Sequence, residues 1–307
     1  MVINKDMAIY LSLTCVAFLW GTSFAISKIA LYELSPLNLA GFRFFIAAIL
    51  FGIILAIKRA GIHKEDIPQL VIMGFLSITS YFYIQYTGLL YTTSINAALL
   101  LATSPVWTTI ASVVLGQEKV NRNSVVGMLI AFLGVSLVIS RGKLFSLFAS
   151  ETIFGDLLLL LNAIVWAIFT LYGKKIMTKY SPFTAVGYIT IFGAVMLLPV
   201  ILVPNQLNPV SLLAQIADIS LQTLAAVLYL AVLCSVYAYY TWYHGIEKIG
   251  AVRTASFYYV SPLFALLAGI WLLKETVTFL VLLGGIAVIG GVYLTNKSKC
   301  NGMSSKS

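Results

Sequence analysis

Two apolar stretches carry polar side chains at helical intervals. Ser77, Tyr81, Gln85 and Gly88 lie four, four and three residues apart, and Tyr229, Tyr237, Tyr240 and His244 lie eight, three and four apart. Such spacings put each set on one face of a helix. Phenols, an amide and an imidazole supply ring faces and hydrogen bonds, the chemistry of recognising a small amphipathic solute rather than of breaking a bond. Trp20 and Trp166 fall near the middle of two further apolar stretches, and Asn96, Thr103, Asn162 and Tyr258 add polar edges. These residues, with Tyr81, Gln85, Tyr237 and Tyr240, form the expected pathway of a substrate. Arg43 is the one arginine well inside an apolar stretch. It is read either as a substrate-anion or gating contact or as a structural partner of a carbonyl or an acidic group. Tyr83, Tyr86, Tyr91, Tyr239, Tyr243 and Tyr259 are read as packing or interfacial side chains instead.

Catalytic and metal chemistry finds little support. His63 lies in a polar connection, and His244 has no histidine or carboxylate at ligand spacing. Cys15, Cys234 and Cys300 have no metal-ligand spacing, and no phosphate-cradling glycine loop is present. The expectation is therefore no enzyme, no cofactor and no metal. Glu33, Glu118, Glu151, Asp156, Glu247 and Glu275 all fall at the ends of apolar stretches or between them, so no carboxylate is expected at mid-membrane for proton coupling.

The elements that position these groups follow from composition. Of 307 residues, 61% are hydrophobic and 9% charged, too few charges for a water-soluble domain. The apolar stretches have the length of a helix crossing about 30 Å of hydrocarbon. They fall at 8–27, 36–57, 70–90, 95–115 and 124–139, then at 154–172, 182–203, 221–245, 254–273 and 277–294. The fold class expected is all-α integral membrane, with ten transmembrane helices. Continuous apolar runs argue against a barrel, whose strands alternate.

The net charge of +9 is distributed by loop, which points to membrane topology and away from nucleic acid. Fourteen lysines and arginines, from Lys5 to Lys306, fall on one side, against Lys28, Arg141, Lys143 and Lys274 on the other. Both termini are accordingly expected in the cytoplasm, with lipid as the surrounding partner.

The chain also repeats itself. Gly88, Ser104-Pro105, Glu118, Gly127 and Gly134 recur 157 residues later as Gly245, Ser261-Pro262, Glu275, Gly284 and Gly291. Upstream, Trp20, Lys28, Ser35-Pro36 and Gly41 recur 146 residues later as Trp166, Lys174, Ser181-Pro182 and Gly187. The difference of 11 residues is an insertion in the second half, placed within 204–220. The repeats span 1–141 and 152–296, with a tail at 297–307. Five helices per repeat is odd, so the second repeat enters the membrane from the opposite face, an inverted architecture suited to alternating access. Pro105 and Pro262, each inside an apolar stretch, are candidate hinges.

In its Leu19-Trp20-Gly21-Thr22-Ser23-Phe24 run, its Ser35-Pro36 and Gly41-Phe42-Arg43-Phe44 segment and its two Ser-Pro stretches, the chain resembles the EamA-type transporters of the drug/metabolite transporter superfamily. Glu118 and Glu275, each ahead of a glycine-punctuated final stretch, extend the likeness over the whole chain. It departs from the pattern at Trp166-Ala167, where glycine is usual, and at Lys274, which precedes Glu275 in place of glycine. The resemblance implies export or exchange of a small metabolite across the plasma membrane, amino acids being a common class. Rival readings are a drug, cation or nucleoside carrier, a channel, and a sensor that transports nothing.

Overall fold

A computed structural model describes residues 5–116, 122–140, 152–249, 254, 257–258 and 260–304. Glu118, Arg141, Lys143, Glu151, Tyr259 and Lys306, singled out above, lie outside them. Among the described residues every regular element is helical.

Helix α1 covers Lys5–Ala30 and α2 Pro36–Ile57. The third span, Lys64–Tyr91, is composite: α3 (Ile67–Gly74), a π turn (Phe75–Ser80) and α4 (Tyr81–Tyr91). The fourth is α5 (Ser94–Leu101) and α6 (Ser104–Val114), broken just ahead of Pro105, and α7 (Arg122–Ser140) follows. The second half runs α8 (Ile153–Lys179), α9 (Pro182–Leu202) and the short α10 (Leu212–Ile216). Then come α11 (Leu221–Leu228), a second π turn (Tyr229–Tyr237) and α12 (Ala238–Ile249). Last are α13 (Ser261–Leu273) and α14 (Phe279–Ser304).

Among the described residues seven stretches are long and apolar enough to cross a bilayer, and three apolar helices are shorter: Val125–Val138, Ser261–Leu273 and Phe279–Leu294. At 13 residues, α13 reaches about 20 Å, less than the hydrocarbon thickness. Its first residue is Ser261, with Pro262 in its first turn, and the described residues 254 and 257–258 ahead of it are helical as well. Large apolar side chains such as Leu11, Ile53, Leu133 and Ile286 point outward, a surface made for lipid rather than water.

The duplicated Ser-Pro pairs have one local reason. Ser35 Oγ accepts from the Asn38 N–H and Ser181 Oγ from the Thr184 N–H, with proline in the first turn each time. A hydroxyl satisfies an orphan donor while proline contributes a preset φ and no N–H, so the same cap starts α2 and α9.

The halves pack reciprocally. A Cβ on Gly41 would lie 2.4 Å from Ile201 Cδ1, and one on Gly187 would lie 2.8 Å from Leu55 Cδ1. The offset of 146 turns each of these pairs into the other. Gly88 against Leu159, at 3.1 Å, is mirrored by Gly245 against Leu13, at 2.8 Å. A Cβ on Gly134 would lie 2.6 Å from the Gly284 carbonyl and one on Gly291 2.5 Å from that of Gly127, so only glycine fits where α7 packs on α14. When residue i touches j′ and j touches i′, the two units are related by a twofold rotation. The π turns obey the same relation, since the offset of 157 carries 75–80 onto 232–237, inside the second turn.

Candidate functional site

Where α1 crosses the second π turn and α12, aromatic rings collect around Trp20. Its ring centroid lies 4.9 Å from Trp242, 5.8 Å from Tyr239 and 5.9 Å from Tyr258. Its indole Nε1 donates to the Cys234 carbonyl at 3.0 Å, inside the π turn. A π turn displaces carbonyls from their usual partners, and the indole uses one of them. At the equivalent crossing of α4 with α8, the Tyr81 ring lies 5.3 Å from Trp166 and 5.0 Å from Phe82. Arg43 reaches both clusters, stacking on Phe82, which packs against Tyr81, and donating to Ser235 beside the Cys234 carbonyl that Trp20 binds, so the two adjoin.

Arg43 lies between them, 4% exposed. Its Nη1 donates to the Tyr86 hydroxyl at 2.8 Å and its Nε to Ser235 Oγ at 3.0 Å. Its guanidinium carbon sits 4.7 Å from the Phe82 ring centroid and 4.9 Å from that of Phe44. The carbonyl or acidic partner entertained from sequence is replaced by two hydroxyls and two ring faces. Those soften the cost of burying the charge but do not neutralise it. Position 43 corresponds to Ile189 in the second half, so this cation is not duplicated.

Of the residues expected along the pathway, the structure gathers Trp20, Tyr81, Trp166, Tyr258 and Arg43. Gln85 and Asn162, both buried, lie on the same α4 and α8 crossing. Tyr237 and Tyr240 fall outside the group, 40% and 48% exposed. Tyr240 stacks on His244 and packs edge-on against Phe183. An extra residue per turn rotates the register through 229–237, so a face drawn at 3.6 residues per turn across that stretch does not stay one face. Trp242, Tyr239 and Ser235 take the inward positions instead. The repeat held the signal for Trp242, which is the counterpart of Gln85.

Asn96 belongs to a cluster near one end of the bundle. Its Nδ2 reaches Asp156 Oδ1 at 3.3 Å, and Thr92 Oγ1 donates to the same oxygen at 2.5 Å. Beside it, Glu275 accepts from the backbone N–H groups of Ser94 (2.7 Å) and Ile95 (3.2 Å) and from Ser94 Oγ. Its Oε1 also lies 3.5 Å from Lys28 Nζ. The carboxylate of one half thus caps the first turn of α5 in the other. Thr103 donates to the Leu100 carbonyl and receives the Trp107 indole N–H, inside the break that Pro105 marks. At the opposite end, Asp66 binds Lys179 at 2.6 Å and also the Tyr180 hydroxyl, which accepts from the His63 N–H. Among the described residues no group of three or more His, Cys, Asp or Glu could hold a metal ion.

The EamA-like transporter family model matches residues 7–140 and again 153–297. The chain belongs to that family. It is 35% identical over 295 residues to an uncharacterised transporter of Archaeoglobus fulgidus, covering 95% of this chain and 98% of that one. It is 28% identical to an uncharacterised transporter of Bacillus subtilis, over 94% and 93% of the two chains. A protein of Salmonella typhimurium named as a probable amino-acid metabolite efflux pump is 26% identical over 284 residues, 91% of each chain. A solved crystal structure, 18% identical, superposes with a TM-score of 0.62 over 94% of this chain and 98% of that one, a likeness of fold. The chain is a membrane protein, and the names of its relatives indicate transport rather than catalysis.

Proposed function

We propose that this EamA-family protein is a plasma-membrane carrier that moves a small amphipathic metabolite, an amino acid or close relative, by alternating access. Ten spans form two inverted five-helix repeats at 1–141 and 152–296. Residues 297–307 are a tail, and both termini face the cytoplasm. The carrying observation is the half-buried aromatic cluster of Trp20, Tyr81, Trp166 and Tyr258 around the buried Arg43, drawn from both halves at equivalent crossings. A site on the pseudosymmetry axis is equally near both faces, which alternating access requires. In this orientation Glu275, Lys28 and Ser94 close the outer end. Pro105 and Pro262 are the bends about which the broken helices move.

The buried Arg43 charge, compensated here by hydroxyls and rings, disfavours a cationic cargo and leaves room for one carboxylate. A single such residue is poor equipment for phosphorylated cargo. Among the described residues no carboxylate joins the central cluster, so transport is read as exchange or facilitated flux along the cargo gradient.

The test is counterflow of labelled L-phenylalanine in proteoliposomes, with L-leucine, a nucleoside and a cationic drug as competitors. Saturable counterflow competed by the amino acid is expected. Flux linear in concentration indicates a pore, binding without flux a sensor, and competition by the drug alone the efflux alternative.

A further inference from the structure

At the α4 and α8 crossing one buried amide is left without a partner, and a second amide lies at its level. Asn162 is wholly inaccessible, and neither its Oδ1 nor its Nδ2 makes a hydrogen bond. Gln85 is 4% exposed, and its side chain makes none among the described residues. Register brings them to one level. Gly88 packs on Leu159 and Tyr81 on Trp166 along this antiparallel crossing. Gln85 lies between Tyr81 and Gly88, and Asn162 between Leu159 and Trp166, each on the facing stripe at spacings of three and four. The hydroxyls of Ser27, Thr87 and Thr190 are also unpartnered. A hydroxyl forfeits one donor and one acceptor oxygen, whereas an amide forfeits two donors and an acceptor, and a buried amide without a partner is rare enough to demand a reason.

The twofold sharpens the point. At the equivalent crossing of α1 with α12, Asn162 corresponds to Val16, Gln85 to Trp242 and Tyr81 to Ala238, while Trp166 corresponds to Trp20. One crossing is therefore amide-bearing and the other is apolar and aromatic, on a frame that is otherwise duplicated. Arg43 falls between them, with no counterpart charge.

We propose that Gln85 and Asn162 form a two-amide clamp for the polar end of a zwitterionic α-amino acid, whose apolar side chain lies against Trp20, Trp242 and Tyr258. The amide oxygens accept from the α-ammonium group, and the amide N–H groups with Arg43 donate to the α-carboxylate. The clamp gives the cargo one orientation in a pseudosymmetric site. It rests on the carrier reading and deepens it.

A structural role and a cargo role predict opposite changes in stability. In purified full-length protein, Asn162→Leu removes a buried amide that this conformation leaves unsatisfied, at similar volume. The cargo-free Tm should rise or hold, while the Tm increase caused by millimolar L-phenylalanine disappears and its KM in counterflow rises at least tenfold. Gln85→Leu should behave alike, and Gln85→Asn should recover part of the response. Phenethylamine and 3-phenylpropionate, each lacking one charged group, should shift the wild-type Tm less than L-phenylalanine does. A lower Tm with the ligand response intact would make the amides mere helix-to-helix glue and overturn the clamp. Stabilisation of the wild type by neither L-phenylalanine nor L-leucine would overturn the cargo class. Unchanged counterflow in Asn162→Leu sinks the clamp but spares the carrier, whereas wild-type binding without counterflow sinks the carrier alone.

Discussion

On the proposed carrier reading, the Arg43 guanidinium, held by two hydroxyls and two phenyl faces, takes the carboxylate of the cargo. Charge-assisted hydrogen bonds are worth about 1.5–3 kcal/mol, so Arg43→Gln should raise the KM for an amino acid roughly 10-fold to 100-fold, with Arg43→Lys between the two. Counterflow kinetics measure it. Glu275 acts differently, tying Lys28 and two backbone N–H groups of α5. Glu275→Ala should cost about 1–2 kcal/mol by analogy with lost helix caps, read as a fall in Tm. Glu33 is exposed, and the Ser220 N–H, then the Ser220 and Thr223 hydroxyls, hold its carboxyl below the usual range. A depressed folded-state value adds stability that is complete above the unfolded value, about pH 4.5, and fades as pH falls through the lowered one. The Tm difference between wild type and Glu33→Gln should therefore be constant at neutral pH and shrink on acidification. Arg43, Trp20 and Tyr81 were legible in sequence as polar or amphipathic groups inside apolar runs. Arg43's partners were not, because Tyr86 and Ser235 come from distant segments and only the twofold packing brings them in.

Among the helices, local rules were mostly readable and one was not. Ser-Pro caps, the break at Pro105 and the glycine seam of α7 with α14 each follow from short-range chemistry or small size. The π turns at 75–80 and 229–237 do not, since an extra residue per turn leaves no compositional mark. They misdirected the reading of Tyr237 and Tyr240 while leaving Tyr81, Gln85 and Gly88, all past the first turn, on one face. The glycines make a graded prediction. At Gly134 a new Cβ meets a backbone carbonyl, whereas at Gly41 it meets the movable Cδ1 of Ile201. Gly134→Ala should lower stability by about 1–3 kcal/mol through overpacking, and Gly41→Ala by less, in parallel thermal melts. Lys274 ends α13 at a φ of 55°, a conformation that costs most L residues about 1–2 kcal/mol relative to glycine. Lys274→Gly should leave the Tm unchanged or raise it.

At the scale of the whole molecule, the duplication and the apolar runs point to two helical halves, and the reciprocal glycine contacts are those that a twofold relation between them would make. Inversion across the membrane is tested by topology. Cysteines placed at positions 61 and 206, in the equivalent loops of the two halves, should be labelled from opposite sides of intact cells. Labelling both from one side would refute antiparallel repeats. Function was less legible than fold because cargo contacts depend on which of many polar groups remain unsatisfied once packed, and single-chain periodicity is blind to that.

The 11-residue insertion has a mechanical consequence. Asn208 binds Asn38 and Ser35, and Gln215 accepts from Asn38 and from the Ser35 N–H. This clasp fastens the start of α2 at one rim, and the repeat supplies no insertion at the other. On the alternating-access reading proposed above, the clasped rim would open only after its amides part, so an empty carrier would idle with that door shut and await its passenger from the other.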